Sequence, residues 1–90
     1  MSNILIAYDL NKVGQNYTNL IEKIKTLGAW WHYLDSTWIV VTNQTAVQVR
    51  DALKPHIDSN DELLVLDITG DSAAWVGFDN AASKWLTDNL

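Results

Sequence analysis

Three short stretches of this chain are apolar at odd and even positions alike, and that restricts the folds open to it more than any other feature. Ile4 to Asp9 reads Ile-Leu-Ile-Ala-Tyr-Asp, Thr37 to Thr42 reads Thr-Trp-Ile-Val-Val-Thr, and Glu62 to Thr69 reads Glu-Leu-Leu-Val-Leu-Asp-Ile-Thr. Their branched and aromatic content predicts strands. Side chains alternate between the faces of a strand. Ile4, Ile6 and Tyr8 therefore oppose Leu5, Ala7 and Asp9; Trp38 and Val40 oppose Ile39 and Val41; Leu63, Val65 and Asp67 oppose Leu64, Leu66 and Ile68. An antiparallel sheet with one wet face carries polar residues at every second position. This sheet asks for cover on both.

The intervening segments supply part of that cover. From Asn16 to Leu27, Tyr17, Leu20, Ile21, Ile24 and Leu27 recur at helical spacing, with Asn19, Glu22, Lys23 and Lys25 on the other side and Gly28 as a stop. Ala29 to Leu34 is a further strand, divided from Thr37 only by Asp35-Ser36, which predicts a hairpin. Thr45 followed by Gln48 is a capping-box pattern for a second helix with Ala46, Val49, Leu53 and Ile57 as its inner stripe, kinked or ended by Pro55. Gly70-Asp71 closes the last strand. After a linker around residues 72–77, Phe78, Ala82, Trp85, Leu86 and Leu90 suit a third helix.

The order strand, helix, strand, strand, helix, strand predicts an α+β fold, a ferredoxin-like βαββαβ sandwich with a four-stranded antiparallel sheet, two helices on one face and an extra C-terminal helix. Residues 1–90 read as one domain, 1–70 its core and 71–90 a C-terminal linker and helix. For the face without helices, a two-fold homodimer is the simplest expectation. The alternative is a monomer whose last helix folds over its own sheet.

Composition narrows the function classes. The six Lys and Arg residues are scattered against eleven acids, for a net charge of -5, whereas binding to a nucleic-acid backbone rests on clustered cations. There is no cysteine, so disulfides and thiolate metal sites are excluded. No basic leader opens the chain and no apolar run approaches the ~18 residues of a membrane span, so a cytoplasmic protein without a membrane partner is expected. The glycines form no phosphate-cradling motif, and His32 and His56 have neither zinc-site nor catalytic-triad spacing. His32 is expected as a packed, hydrogen-bonded strand residue.

Three motifs together carry a family resemblance: the first strand ending Tyr8-Asp9, the hairpin step Ser36-Thr37-Trp38 after Gly28, and Asn60-Asp61-Glu62-Leu63-Leu64-Val65 leading into the last strand. They resemble the small CRISPR-associated adaptation protein that partners the integrase. The whole chain, with Gly28-Ala29-Trp30-Trp31-His32-Tyr33-Leu34 and Ser36-Thr37-Trp38, is more similar still to small bacterial proteins labelled SinR-like, which are distinct from the DNA-binding repressor of similar name. The resemblance implies a homodimer with the strand-end aspartates of two subunits facing each other near the axis. In some members that pair is assigned as a metal-dependent nuclease site; in CRISPR adaptation the protein is a non-catalytic scaffold.

Asp9 is the position that carries over, as catalytic residue and as ligand of Mg²⁺. Two carboxylates brought together by symmetry repel unless a proton or a divalent cation lies between them, and Mg²⁺ there would polarise a phosphoryl oxygen and orient water. Asn11, Lys12, Ser36 and Trp38 are the candidate ligand-binding residues around it, for RNA, DNA or a small nucleotide. The loop after the aspartate is often basic in the family, but here offers only Lys12. The bland role for Asp9 is to hold its own strand end and loop. Asp67, placed by alternation with Leu63 and Val65, is a further acid expected to pair with a base or solvate a strand end, the alternative being a place near the dimer interface, and Asp58, Asp61 and Glu62 read as a solvated turn. Beside the nuclease stands a second function class, a non-catalytic dimer that scaffolds a protein partner or sequesters a small nucleotide.

Overall fold

The structure, a computed structural model, describes residues 1–11 and 16–90. Its elements are β1 (Ser2–Asp9), α1 (Thr18–Lys25), β2 (Ala29–Leu34), β3 (Thr37–Thr42), α2 (Ala46–Leu53), β4 (Glu62–Asp67) and α3 (Asn80–Asn89), with a short 3₁₀ turn at Lys54–His56. The four strands of the described residues form one antiparallel sheet in the order β2-β3-β1-β4, so this is a small α+β fold, with three helices among the described residues. None of its described helices is long and apolar enough to cross a membrane.

β1 lies inside the sheet, paired with β3 on one edge and β4 on the other. Its even residues Ile4, Ile6 and Tyr8 are buried with Trp38 and Val40 of β3 against Leu20 and Ile24 of α1 and Val49 and Leu53 of α2. Leu63 and Val65 pack against the same cluster. Asp67 shares their face, the one the helices cover, and stands exposed at the end of β4, in keeping with the expected strand-end role rather than the alternative near an interface. Within this core the Trp38 indole Nε1–H donates to the Tyr8 hydroxyl at 3.0 Å, which satisfies the one polar group of a fully buried ring.

The second face is half covered from within the chain. Trp31 and Ile39 are buried beneath Leu86 of α3, flanked by Phe78 and Trp85. Trp31 donates its indole N–H to the Ala82 carbonyl at 3.2 Å, and the Phe78 ring meets it edge-on at 5.0 Å. At the other end of α3 the Asn3 amide donates to the Asn89 carbonyl at 2.7 Å, fixing the helix to the start of β1. The terminal helix thus folds over its own sheet on the β2–β3 side. The β1–β4 side stays open, with Leu64 55% and Leu66 44% exposed.

Local chemistry explains the boundaries. α1 begins at Thr18, two residues later than the spacing suggests, and before it the Asn16 carboxamide accepts from the Thr18 N–H at 2.9 Å, a first-turn donor that has no acceptor within the helix. α2 starts on the expected capping box: Thr45 Oγ1 accepts from the Gln48 N–H at 3.1 Å while Gln48 Oε1 accepts from the Thr45 N–H at 2.8 Å. Pro55 then turns its end into the 3₁₀ segment. The Asp35-Ser36 hairpin has no residue at positive φ, so its turn is neither of the primed types that match strand twist. The mismatch is taken up as a register shift between Trp31 and Leu34, and within it His32 stacks on Trp38 at 3.7 Å and hydrogen-bonds the Asp35 carbonyl at 3.3 Å. His32 is the packed strand residue that was expected.

Gly28 is required by a close approach. A Cβ built there falls 2.0 Å from the Val41 carbonyl oxygen, a backbone atom that cannot move without disturbing the β2–β3 pairing. Gly28→Ala is expected to lower stability by about 1–3 kcal/mol or more, read as a lower urea midpoint with an unchanged slope.

Candidate functional site

β1 ends where the sequence places its candidate acid. Asp9 is exposed at the last position of the strand, directly opposite Glu62, the first residue of β4. Opposed residues on neighbouring strands share a face, and like charges in that position repel. Two carboxylates therefore stand together within one protomer. The spacing of the sequence hid this, because Glu62 reads as part of a polar turn until the register is known.

Ser36 arrives from the hairpin on the other side of β1, where its carbonyl accepts the Tyr8 N–H at 3.1 Å. Asp9, Ser36 and Glu62 line one open pocket of about 310 Å³ together with Ala7 and Leu64. Asn11 is close but occupied: its backbone N–H donates to Asp61 Oδ1 at 2.7 Å, and its side-chain amide to the Asn60 carbonyl at 2.9 Å and to Glu62 Oε1 at 3.2 Å. It ties the loop after β1 to the turn before β4 and orients the Glu62 carboxylate. Trp38 stays apart from the pocket, because the alternation that points Asp9 outward points Trp38 into the helix-covered core. Lys12 lies outside the described residues.

The turn before β4 is built rather than merely solvated. Asp61 accepts from the Tyr17 hydroxyl at 2.8 and 2.9 Å and from the Asp58 N–H at 2.8 Å, besides the Asn11 N–H. One carboxylate thus gathers the loop after β1, the start of α1 and the turn before β4. The Asp9 pocket rests on that junction. Among the described residues, no three of the His, Cys, Asp and Glu side chains gather as a metal-binding group.

A second cleft, of about 450 Å³, lies between the open face and the segment leading to α3. Its walls include Leu5, Trp31, Ile39, Trp75 and Phe78, with Thr37 and Asp71 as polar groups. The path of residues 71–78 back across the sheet sets these rings around a cleft.

No protein-family model matches the chain, and no solved structure matches it significantly.

The acidity of Asp67 is shifted by its neighbour Thr69. The Thr69 hydroxyl donates to Asp67 Oδ1 at 2.6 Å and the Thr69 N–H at 3.0 Å, in that order of effect, and together they hold the carboxyl below its ordinary value of 3.8. A group whose pKa is lower in the folded state stabilises the fold above its unfolded value and loses that contribution as pH falls through the folded value. Thr69→Val is expected to return the Asp67 pKa toward 3.8, measured by carboxyl-carbon NMR titration.

Proposed function

We propose that this chain is a dimer-forming assembly module of ferredoxin-like fold, in which two copies pack through the β1–β4 half of the second face. The exposure of Leu64 and Leu66 carries this reading. They are neighbours on one face of a regular strand, and α3, which buries Trp31 and Ile39 on the other half, does not reach them. The fold reading is supported by the sheet order β2-β3-β1-β4 with α1 and α2 on one face. A scaffold of this kind fits a net charge of -5 without clustered cations, and it is the non-catalytic role that the resemblance to CRISPR adaptation proteins implies.

Because both leucines are exposed in the protomer, Leu64→Glu with Leu66→Glu is expected to leave the protomer's fold intact while converting a dimer to a monomer in sedimentation equilibrium. A parent protein that sediments as a monomer at every concentration overturns the reading.

One observation favours a second reading, a metal-dependent phosphodiesterase acting on RNA or DNA. Asp9 and Glu62 are opposed carboxylates in a pocket that Ser36 also lines, and a hard cation relieves their repulsion. Mg²⁺ is held by one or two carboxylates and keeps several waters, so this donor set fits it, whereas it lacks the nitrogen and sulfur ligands of a zinc centre. The bound ion would supply Lewis-acid polarisation of a phosphoryl oxygen. The chain's part is to place Asp9 through the last β1 pairing and to hold Glu62 through the Asn11 amide. Asp9→Asn is expected to abolish Mg²⁺-dependent cleavage of single- or double-stranded RNA or DNA, with the melting temperature unchanged. Absence of cleavage by the parent with Mg²⁺ or Mn²⁺ removes this reading and leaves the assembly reading intact.

A further inference from the structure

The edge of the sheet at β4 carries hydrogen-bonding groups that nothing in the described chain uses. In an antiparallel pair, residues alternate between those that bond to the neighbouring strand and those that turn their N–H and C=O away. The Ile68 N–H donates to the Asn3 carbonyl at 2.9 Å, which sets the phase of the β1–β4 ladder. By the same register Leu66, Leu64 and Glu62 face β1, and Leu63, Val65 and Asp67 present their N–H and C=O groups outward. Among the described residues none hydrogen-bonds to these outward groups.

Soluble sheets ordinarily protect such an edge with a proline, a bulge or a mid-strand charge. The opposite edge, β2, has its register shift. β4 pairs with β1 in unbroken register, and between Glu62 and Asp67 it is apolar throughout. Beside it runs a groove of about 220 Å³ between Leu63, Leu64 and Val65 on one side and Ala46, Val47 and Arg50 of α2 on the other. Val47 is 57% exposed there, an apolar side chain on the surface of a helix next to an unpaired strand.

We propose that the β4 edge and the α2 groove bind an extended polypeptide segment by strand addition, and that the segment carries alternating apolar residues flanked by Lys or Arg. The outward groups of Leu63, Val65 and Asp67 supply the main-chain hydrogen bonds. Val47 on one side and Leu64 and Leu66 on the other meet its alternate side chains. Charge selects this occupant over a second copy. Glu62 and Asp67 stand at the two ends of the strand, with Asp61 before and Asp71 beyond, and the guanidinium of Arg50 is held by Asp51 at 2.9 Å. An antiparallel pairing of β4 with itself brings the Asp67 end of each strand onto the Glu62 end of the other, crowding carboxylates at both ends. A segment with cationic ends places opposite charges there. The main-chain hydrogen bonds of this inference use edge groups that the face-to-face dimer does not, while Leu64 and Leu66 are shared by the two.

The test uses the full chain and a fluorescent peptide, Lys-Val-Thr-Val-Thr-Val-Lys, followed by polarisation and by amide NMR. Saturable binding is expected, with shifts centred on Leu63, Val65 and Asp67 and on the Val47 methyls. Methylating alternate peptide amides is expected to weaken binding by about tenfold or more, as is replacing both terminal lysines by glutamates. Val65→Pro removes one outward N–H without touching a β1–β4 hydrogen bond and should weaken binding in the same way. Should that variant fail to fold, the methylated peptide decides the matter on the parent protein. Three results overturn the proposal: no saturable binding, equal binding of the methylated peptide, or shifts centred on the β2 edge. Concentration-dependent shifts at the β4 edge of the protein alone, abolished by Val65→Pro, assign the edge to a second copy and overturn it too.

Discussion

Everything in this fold follows from the position of β1, which is hydrogen-bonded on both edges and apolar on both faces. A central strand of that kind cannot leave either side in water without losing roughly 25 cal/mol for each Å² of apolar surface exposed. The chain answers with two unequal covers. α1 and α2 close one face completely over Ile4, Ile6, Trp38 and Val40, and α3 closes only the part of the other that lies over Trp31 and Ile39. Their unequal extent leaves the β4 side apolar and open.

The placement of α3 rests on two polar contacts as much as on packing. The Trp31 indole donating to Ala82 and the Asn3 amide donating to Asn89 fix both ends of the helix to different strands, β2 and β1. With its ends held toward β2 and the start of β1, its Leu86 packs with Trp31, Ile39 and Ile68, and Leu64 and Leu66 stay exposed. The open half of the face is therefore built into the chain's own geometry.

Electrostatics gives that open side its character. The acids Asp9, Glu62 and Asp67 stand at the strand ends that border it, while Asp61 is spent internally on Tyr17, Asn11 and Asp58. Apolar strand middles with acidic ends repel an identical edge and attract a cationic one. The pair Asp9 and Glu62, the leucines of β4 and its free backbone edge are close neighbours on one strand, so whatever binds at one will alter the surroundings of the others.

Much of this was legible in the residues. The strand faces, the three helices, the Thr45 and Gln48 cap, the Asp35-Ser36 hairpin and the packed role of His32 all depend on contacts within a few residues or on the two-residue period of a strand, and both are written directly in the chain. For the second face a two-fold partner was the simpler expectation and α3 folding over its own sheet the alternative, since the pattern of Ala82, Trp85 and Leu86 suits any apolar surface. Asp9 was visible as a strand-end acid, but Glu62 became its neighbour only through the register of two strands that lie some fifty residues apart, and Trp38 left the site because the helices took its face. Cross-strand register and the choice of which face a helix covers are set by competition among distant surfaces, and they exist only once the chain has closed on itself.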